Sequence, residues 1–492
     1  MAEQIRQKKL SPVELVEAHL ARIEELNPQL NAFVQVGAEG ARRQARVAEA
    51  AVRQGEKLGV LHGVPLSIKS SMEVAGLPFE AGTKLRTGVM GERDAPLVAR
   101  LRQAGAIILG VTNAPELLMA WETDNLLYGR TNNPWDLSRT PGGSSGGEAA
   151  AIAAGMSAGG MGSDGGGSIR VPAHFSGICG LKPTPGRIPA TGHFPVSVGP
   201  FALLGVVGPM ARNVGDLRVL FEVMQGPDDG DPSAAPVGLH WPTKEELKGV
   251  RIGYFEDDGR TPVTPETRAA VRTAAEALRR AGFQVDPFRP EGLEPARQLW
   301  WKLFGVAGGM ILGSITQGRE SELSPILKEF SSWAAAEPSH TGQSLLETWI
   351  ERDVVRMQLF AQMRDYPALL CPVASIPAFH HGERSWQVEG KTVKYLDAWS
   401  YTEWFNLLGT PAVVVPVGKS PEGLPIGVQI VARPWQEELV ISVAAALEEQ
   451  IGCYGHPNTK AQMSSSGRAS EARQSSAGVS PARWPSFARL GR

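Results

Sequence analysis

Apolar residues recur every three or four positions near the start of the chain, which is the spacing of one helix face. This helix is predicted to begin at Ser11, because the next residues supply a proline at the first helical position and a capping-box glutamate, and to end at Pro28. Further elements predicted in this part are helices over residues 40–54 and 96–103, a loop and short strand over 61–69, and a strand over 106–111.

Strands and helices alternate in the second half of the chain. The predicted elements are strands over residues 250–255, 283–285, 368–372, 412–417 and 427–432, and helices over 264–281 and 436–450. No long linker interrupts them. The pattern predicts an α/β fold, a single large domain over residues 1–455 with a mixed, mostly parallel central β-sheet covered by helices on both faces.

Residues 456–492 differ in composition, being rich in Ser, Arg, Gly, Ala and Pro with a single acid, Glu471. This composition predicts a low-complexity tail, either disordered or foreign to the domain. It is left out of the functional interpretation.

The 492 residues have a net charge of -2, which offers no electrostatic field for nucleic acid or an anionic membrane. The cysteines Cys179, Cys371 and Cys453 are odd in number and far apart, so we expect reduced, mostly buried thiols and no disulfide framework or zinc site. The N-terminus lacks the apolar core of an export signal, and the most apolar run, residues 196–210, is too short to span a bilayer. We therefore expect a cytoplasmic protein without stable membrane insertion.

Helical residues 293–349 carry large apolar side chains, among them Trp300, Phe304 and Trp333. They could line a hydrophobic acyl or aryl pocket, seat on a membrane, or simply pack against the sheet. The sequence leaves these alternatives open.

Candidate chemistry concentrates in the glycine- and serine-rich residues 141–183, which contain Ser144, Ser145 and Ser168. Glycines in such a number serve backbone geometry, as in tight turns or close approach to a ligand. A G-x-G-x-x-G match at residues 160–165 and a G-x-S-x-G match at 142–146 both lack the strand that should precede them. Neither a dinucleotide site nor a nucleophile elbow is therefore predicted.

A serine hydroxyl becomes a good nucleophile only when a base takes its proton, and a lysine can do so if it is neutral. Backbone N–H groups of consecutive glycines could stabilise the oxyanion of acyl transfer. The chemistry thus calls for a lysine, a relay serine and a nucleophilic serine. Lys69, at the end of a predicted strand, would on its own be interpreted as a solvated charge.

Several segments together resemble the amidase signature family in order and spacing, over nearly the whole chain up to about residue 452. They are GVP at residues 63–65 followed by Lys69, TN at 112–113 with Glu116, and residues 142–147, 162–170, 177–184 and 424–448. The resemblance implies one α/β domain with a mixed sheet, and no cofactor or metal.

The resemblance also implies site residues. Ser168 would be the acyl-forming nucleophile, Ser144 the relay next to a cis peptide bond, and Lys69 the general base and later general acid. The oxyanion hole would be formed by the N–H groups of Gly165, Gly166, Gly167 and Ser168. Asp164 and Arg170 would organise the loop, and Ser145 would be structural.

The sequence departs from the family pattern at two positions. Ser70 stands where the family commonly has an aspartate, which removes a carboxylate near Lys69 and should make the neutral amine easier to reach. Gly165 stands where a side chain is usual, so we expect a more permissive oxyanion loop that accommodates bulky acyl groups.

The predicted function is hydrolysis of amide C–N bonds through an acyl-serine. A small-molecule hydrophobic or aryl amide is the favoured substrate, and esters or carbamates are compatible because they pass through the same tetrahedral oxyanion. The alternatives are the glutaminase subunit of a tRNA-dependent amidotransferase, which residues 186–192 argue against, and a non-catalytic binding protein on the same fold. A homodimer is compatible with either enzyme.

Overall fold

One central sheet organises the protein, which the computed structural model describes over residues Met1–Pro457. The tail predicted for residues 456–492 lies outside the described residues except for its first two positions, and the domain boundary near residue 455 stays a prediction. The strands are β1 (Phe33–Val36), β2 (Pro65–Lys69), β3 (Ile107–Thr112), β4 (Gly159–Asp164), β5 (Cys179–Lys182), β6 (Val206–Ala211), β7 (Arg251–Tyr254), β8 (Gln284–Pro287), β9 (Ala368–Pro372), β10 (Ser385–Val388), β11 (Lys391–Lys394), β12 (Ala412–Lys419) and β13 (Pro425–Ala432).

Helices occupy most of the remaining chain. They are α1 (Ala2–Arg6), α2 (Pro12–Leu30), α3 (Ala38–Gln54), α4 (Pro96–Gln103), α5 (Gly146–Ala153), α6 (Arg170–Ser176), α7 (Pro200–Leu204), α8 (Val214–Met224), α9 (Lys244–Lys248), α10 (Pro265–Arg280), α11 (Ala296–Trp300), α12 (Gly308–Thr316), α13 (Pro325–Ala335), α14 (Gly342–Gln362), α15 (Ser400–Leu407) and α16 (Glu437–Ile451). A π-helix, Trp301–Ala307, joins α11 to α12.

The sheet has eleven strands in the order β1-β3-β2-β4-β6-β5-β12-β13-β9-β7-β8. The predicted α/β fold with a mixed sheet is confirmed. Parallel pairs lie on the two flanks, in β3-β2-β4 and β9-β7-β8. The strand pairs through the middle of the sheet and at the β1 edge are antiparallel. They are six of the ten pairs, a larger antiparallel share than the alternation of helices and strands suggests.

Two hydrophobic cores cover the two faces of this sheet. One core joins buried residues of α4, α8, α10 and α16 to the strands. The other contains those of α6, α11, α14 and α15 together with most of the tryptophans. Helices on both faces are the expected way to bury a sheet whose central strands are apolar on both sides.

Most predicted elements are confirmed to within a few residues, but α2 does not end at Pro28. It continues to Leu30, so the one N–H that Pro28 cannot donate does not end the helix. Asn31 then ends the helix in the left-handed conformation, and the Asn27 side chain accepts the N–H groups of the two residues that follow.

Strand β4 has the sequence GGMGSD and is buried along its whole length, although glycine disfavours strands. Glycine is required in this strand because neighbouring atoms leave no room for a Cβ. A Cβ on Gly160 would lie 2.2 Å from the Ser67 carbonyl oxygen, and one on Gly162 would lie 2.7 Å from Ser145 Oγ. The strand therefore depends on its environment and was not predicted from propensity.

Two smaller expectations concern thiols and membranes. The cysteines are free, with Cys179 and Cys371 buried and Cys453 exposed. Among the described residues, the stretch Ala296–Thr316 is long and apolar enough to cross a bilayer by length and composition, and 56% of it is buried inside the protein. Core helices pass the same test.

Candidate active site

Lys69 is the last residue of strand β2, and its side chain is completely buried. Its Nζ lies within hydrogen-bond distance of three hydroxyl oxygens, Ser144 Oγ at 2.7 Å, Ser145 Oγ at 2.9 Å and Ser163 Oγ at 3.0 Å. The interpretation as a solvated surface charge is therefore wrong for this lysine. The amine lies where a proton can pass between it and a serine hydroxyl.

Burial lowers the pKa of Lys69 well below its usual value, because removal from water disfavours the ammonium form. The carboxylates of Asp164 and Glu148 oppose this shift, but they are the smaller influence. The surroundings thus favour a neutral amine, the form that can accept a proton.

Ser144 and Ser145 stand immediately before α5, and the Gly143–Ser144 peptide bond is cis. Ser145 joins two parts of the site. Its Oγ donates to the Ser163 carbonyl at 3.2 Å, and its N–H donates to the Ser168 carbonyl at 3.1 Å. Its contacts are thus largely structural, although it also touches the lysine amine.

Ser168 lies just before α6 and borders the same cavity as Ser144 and Ser163. The empty space between its walls, including the part open to solvent, is about 670 Å³. Aromatic side chains form much of its wall: Trp121, Phe201, Trp300, Phe304 and Phe330. Ser144 and Ser168 therefore line one largely apolar cavity, and Lys69, which does not line it, contacts Ser144 at 2.7 Å.

In the loop from Asp164 to Ser168, each carbonyl oxygen from Asp164 to Gly167 accepts a hydrogen bond from another group of the protein. Asp164 O accepts from Asn406 Nδ2 at 3.1 Å, and Gly167 O accepts from the Val171 N–H at 2.7 Å. The carbonyls of Gly165 and Gly166 accept from indole N–H groups at 2.7 and 2.9 Å. These bonds fix the direction of each peptide plane in the loop.

The N–H groups of the same loop divide into two sets. The Gly167 N–H donates to Asp164 Oδ1 at 2.7 Å, so it is engaged and must be removed from the predicted oxyanion donors. Within the described part of the chain, the N–H groups of Gly165, Gly166 and Ser168 have no acceptor. These three remain available to an oxyanion.

Asp164 and Arg170 form a buried ion pair, with Arg170 Nη2 at 3.0 Å from Asp164 Oδ1 and Nε at 3.0 Å from Oδ2. Asp164 also accepts the backbone N–H of Ile169 at 3.0 Å. Arg170 and these donors outweigh the effect of burial and hold the pKa of Asp164 far below its usual value. The ion pair and these hydrogen bonds therefore hold the conformation of the loop.

Gly165 does not leave open space for a bulky acyl group. A Cβ at this position would lie 2.5 Å from the ring of Phe304, which occupies the place of the missing side chain. The expectation of a more permissive loop is therefore wrong. The glycine accommodates an aromatic residue of the protein itself.

Some residues at the site were not identified from the sequence. Ser163 binds the lysine amine, and Glu148 accepts Ser67 Oγ at 2.5 Å and Thr112 Oγ1 at 2.7 Å beside β2. Burial raises the pKa of Glu148 to about 7. The position of Ser163 between Gly162 and Asp164 was a signal that could have been used; Glu148 lies in an alanine-rich helix and carried none.

The chain is similar to known proteins over most of its length. A family model described as Amidase matches residues 14–441. The indoleacetamide hydrolase of Bradyrhizobium diazoefficiens is 35% identical over 467 residues, covering 92% of this chain and 86% of that protein. One component of the glutamyl-tRNA(Gln) amidotransferase of Anaeromyxobacter sp. (strain K) is 35% identical over 471 residues, covering 90% of this chain and 94% of that protein. A bacterial aryl acylamidase of the amidase signature family superposes with a TM-score of 0.81 and 26% identity, covering 91% of this chain and 95% of that one.

We expect Gly165→Ala to destabilise the protein by roughly 1–3 kcal/mol, because its Cβ needs the space of the Phe304 ring. The loss should largely disappear in the double variant Gly165→Ala/Phe304→Leu, since leucine lacks the two ring atoms closest to that Cβ. Denaturant unfolding of the wild type, both single variants and the double variant measures the coupling. Equal effects of Gly165→Ala in both backgrounds would contradict the assignment of this space to Phe304.

Proposed function

This chain belongs to the amidase signature family and hydrolyses amides, and from that premise we propose that it acts on hydrophobic or aryl amides through an acyl-enzyme formed on Ser168. The observation that carries the proposal is the short hydrogen bond between Lys69 Nζ and Ser144 Oγ, 2.7 Å, because Ser144 lines the aromatic cavity that Ser168 also borders. A buried amine of lowered pKa beside a hydroxyl is suited to withdraw a proton from a serine nucleophile.

In the proposed first step, neutral Lys69 accepts the proton of Ser144, which takes the proton of Ser168 as Ser168 Oγ attacks the amide carbon. The N–H groups of Gly165, Gly166 and Ser168 stabilise the resulting oxyanion. The proton then returns through Ser144 to the departing nitrogen, and the C–N bond breaks. Water attacks the acyl-serine by the same proton path, releases the acid and restores Ser168.

The proposed substrate class rests on the wall of the cavity. Its aromatic residues offer an apolar surface that favours aryl or medium-length acyl groups over small polar ones. Esters and carbamates of the same acyl groups are included in the proposal, because their hydrolysis passes through the same tetrahedral oxyanion.

The glutaminase alternative has less support, although a component of a tRNA-dependent amidotransferase is among the relatives. Glutamine presents a free carboxylate and ammonium, which a binding site normally pairs with charged groups. Among the described residues that line the cavity there is no arginine or lysine, and the carboxylate of Asp164 is already paired with Arg170.

We expect Ser168→Ala to abolish turnover of an aryl amide while the melting temperature stays close to that of the wild type. A fluorophosphonate should label the wild type once, on the peptide containing Ser168, and should not label the variant. Ser157→Ala is the matched control, since Ser157 is a buried serine whose hydroxyl donates to Gly159 O away from the cavity. Full turnover in Ser168→Ala would refute the nucleophile.

We expect Ser70→Asp to move the acidic limb of the pH–rate profile upward by about one unit, because an added anion favours the charged lysine. A general base works only when deprotonated, so activity falls as pH drops through its pKa, and raising that pKa moves the fall to higher pH. Ser70→Asn is the control, because asparagine has the shape of aspartate but no charge. An unchanged acidic limb in Ser70→Asp would contradict Lys69 as the base.

We expect kcat/KM for a series of p-nitroanilides to rise from acetyl to benzoyl and hexanoyl, because the larger groups bury more apolar surface against the aromatic wall. Each buried methylene contributes about 0.8 kcal/mol of binding free energy. The matching p-nitrophenyl esters should follow the same order. Glutamine is included as a competing amide. A preference for acetyl, or for glutamine with ammonia release, would overturn the proposed substrate class.

A further inference from the structure

Two tryptophans from distant parts of the chain hold the loop before Ser168 by its carbonyl oxygens. Trp300 Nε1 donates to Gly165 O at 2.7 Å, and Trp121 Nε1 donates to Gly166 O at 2.9 Å. Both side chains are buried, and their rings pack together with centroids 5.9 Å apart. The Thr402 hydroxyl lies 2.9 Å from Gly166 O and 2.8 Å from Trp399 O, and its single proton serves these two acceptors.

The carbonyl and the next N–H of a trans peptide point in opposite directions, because the unit is planar. An indole on Gly165 O therefore fixes the direction of the Gly166 N–H, one of the groups without an acceptor in the described chain. The indole on Gly166 O fixes the Gly167 N–H, which meets Asp164. The two indoles thus set which loop N–H groups face the cavity and which face the carboxylate.

The glycines of this loop are fitted to these contacts. A Cβ on Gly166 would lie 2.5 Å from the Trp300 ring, and one on Gly167 would lie 2.5 Å from Thr402 Oγ1. Trp300 also stacks on Phe304, with ring centroids 5.0 Å apart, and Phe304 fills the space beside Gly165. Each missing side chain is thus replaced by another group of the protein that packs against the loop.

We propose that Trp300 and Trp121 are positioning residues, whose indole N–H groups clamp the carbonyls of Gly165 and Gly166 and thereby aim the oxyanion donors. The proposal rests on the proposed acyl-transfer function. Both tryptophans also line the cavity, so a substrate acyl group packs directly against the residues that orient the loop. Binding of a fitting acyl group and orientation of the donors are therefore coupled through the same two rings.

Trp300→Phe tests the clamp, because phenylalanine keeps an aromatic ring but cannot donate to Gly165 O. Misaimed oxyanion donors cost transition-state stabilisation, so we expect kcat to fall by about tenfold or more while KM changes by less than about threefold. Trp121→Phe should act in the same direction. The loss should appear for a p-nitroanilide and for the p-nitrophenyl ester of the same acyl group, since both form the oxyanion.

Trp399→Phe is the matched control. Trp399 is buried in the same aromatic group and stacks on Trp121, with centroids 5.7 Å apart, yet its Nε1 has no partner among the described residues. Its replacement should leave kcat within about twofold of the wild type. A trifluoromethyl ketone with the same acyl group gives a second measure: its affinity should fall with kcat/KM in Trp300→Phe, whereas the affinity of the carboxylic acid product should not.

Three results would overturn the clamp: an unchanged kcat in Trp300→Phe, a rise in KM alone, or an equal loss in Trp399→Phe. If Trp300→Phe does not fold, Trp121→Phe and Thr402→Val remove donors to Gly166 O and carry the same test. Failure of the clamp is distinguishable from failure of the proposed function. In the first case the wild type still turns over the substrates and Ser168 is still labelled; in the second the wild type does neither.

Discussion

The burial of one lysine amine is the constraint on which the site depends. An ammonium removed from water is costly unless charges or hydrogen bonds compensate it, and at Lys69 the nearest partners are the hydroxyls of Ser144, Ser145 and Ser163. These neutral partners satisfy the N–H groups without restoring a full countercharge. The same desolvation that makes the position unfavourable for a charged side chain lowers the pKa of the amine and so favours its neutral, proton-accepting form.

The glycines around this amine allow neighbouring groups of the protein to approach the backbone closely. Gly162 leaves room for Ser145, Gly160 leaves room for the Ser67 carbonyl, and Gly165 and Gly166 leave room for Phe304 and Trp300. Interiors are close-packed, so a missing side chain in a buried loop is normally matched by a neighbour that fills the space. The glycine-rich segment is therefore a densely packed part of the protein, with strand β4 between β2 and β6 in the sheet and α5 beside it.

The loop that ends in Ser168 is organised from its carbonyl side. Asn406, Trp300 and Trp121 bind successive carbonyl oxygens, and Asp164 takes the Gly167 N–H. The N–H groups that remain face the cavity as unpaired donors in the described chain. Such donors are costly in the free protein and become favourable when a negative oxygen binds, so the preorganisation of the loop is supplied by folding.

The sequence by itself determined the alternation of helices and strands, and the order and spacing of the family's motifs, because capping residues, apolar periodicity and linear motifs are local properties. Through those motifs it also led to Lys69, Ser144 and Ser168 as the predicted catalytic residues. Only the tertiary structure decided that β4 is a strand, that the Gly167 N–H is turned toward Asp164, and that Phe304 fills the place beside Gly165. These outcomes depend on residues far apart in the chain, such as Trp300 and Trp121, whose contact with the loop no local pattern records, because packing and hydrogen-bond direction are settled only when the distant segments meet.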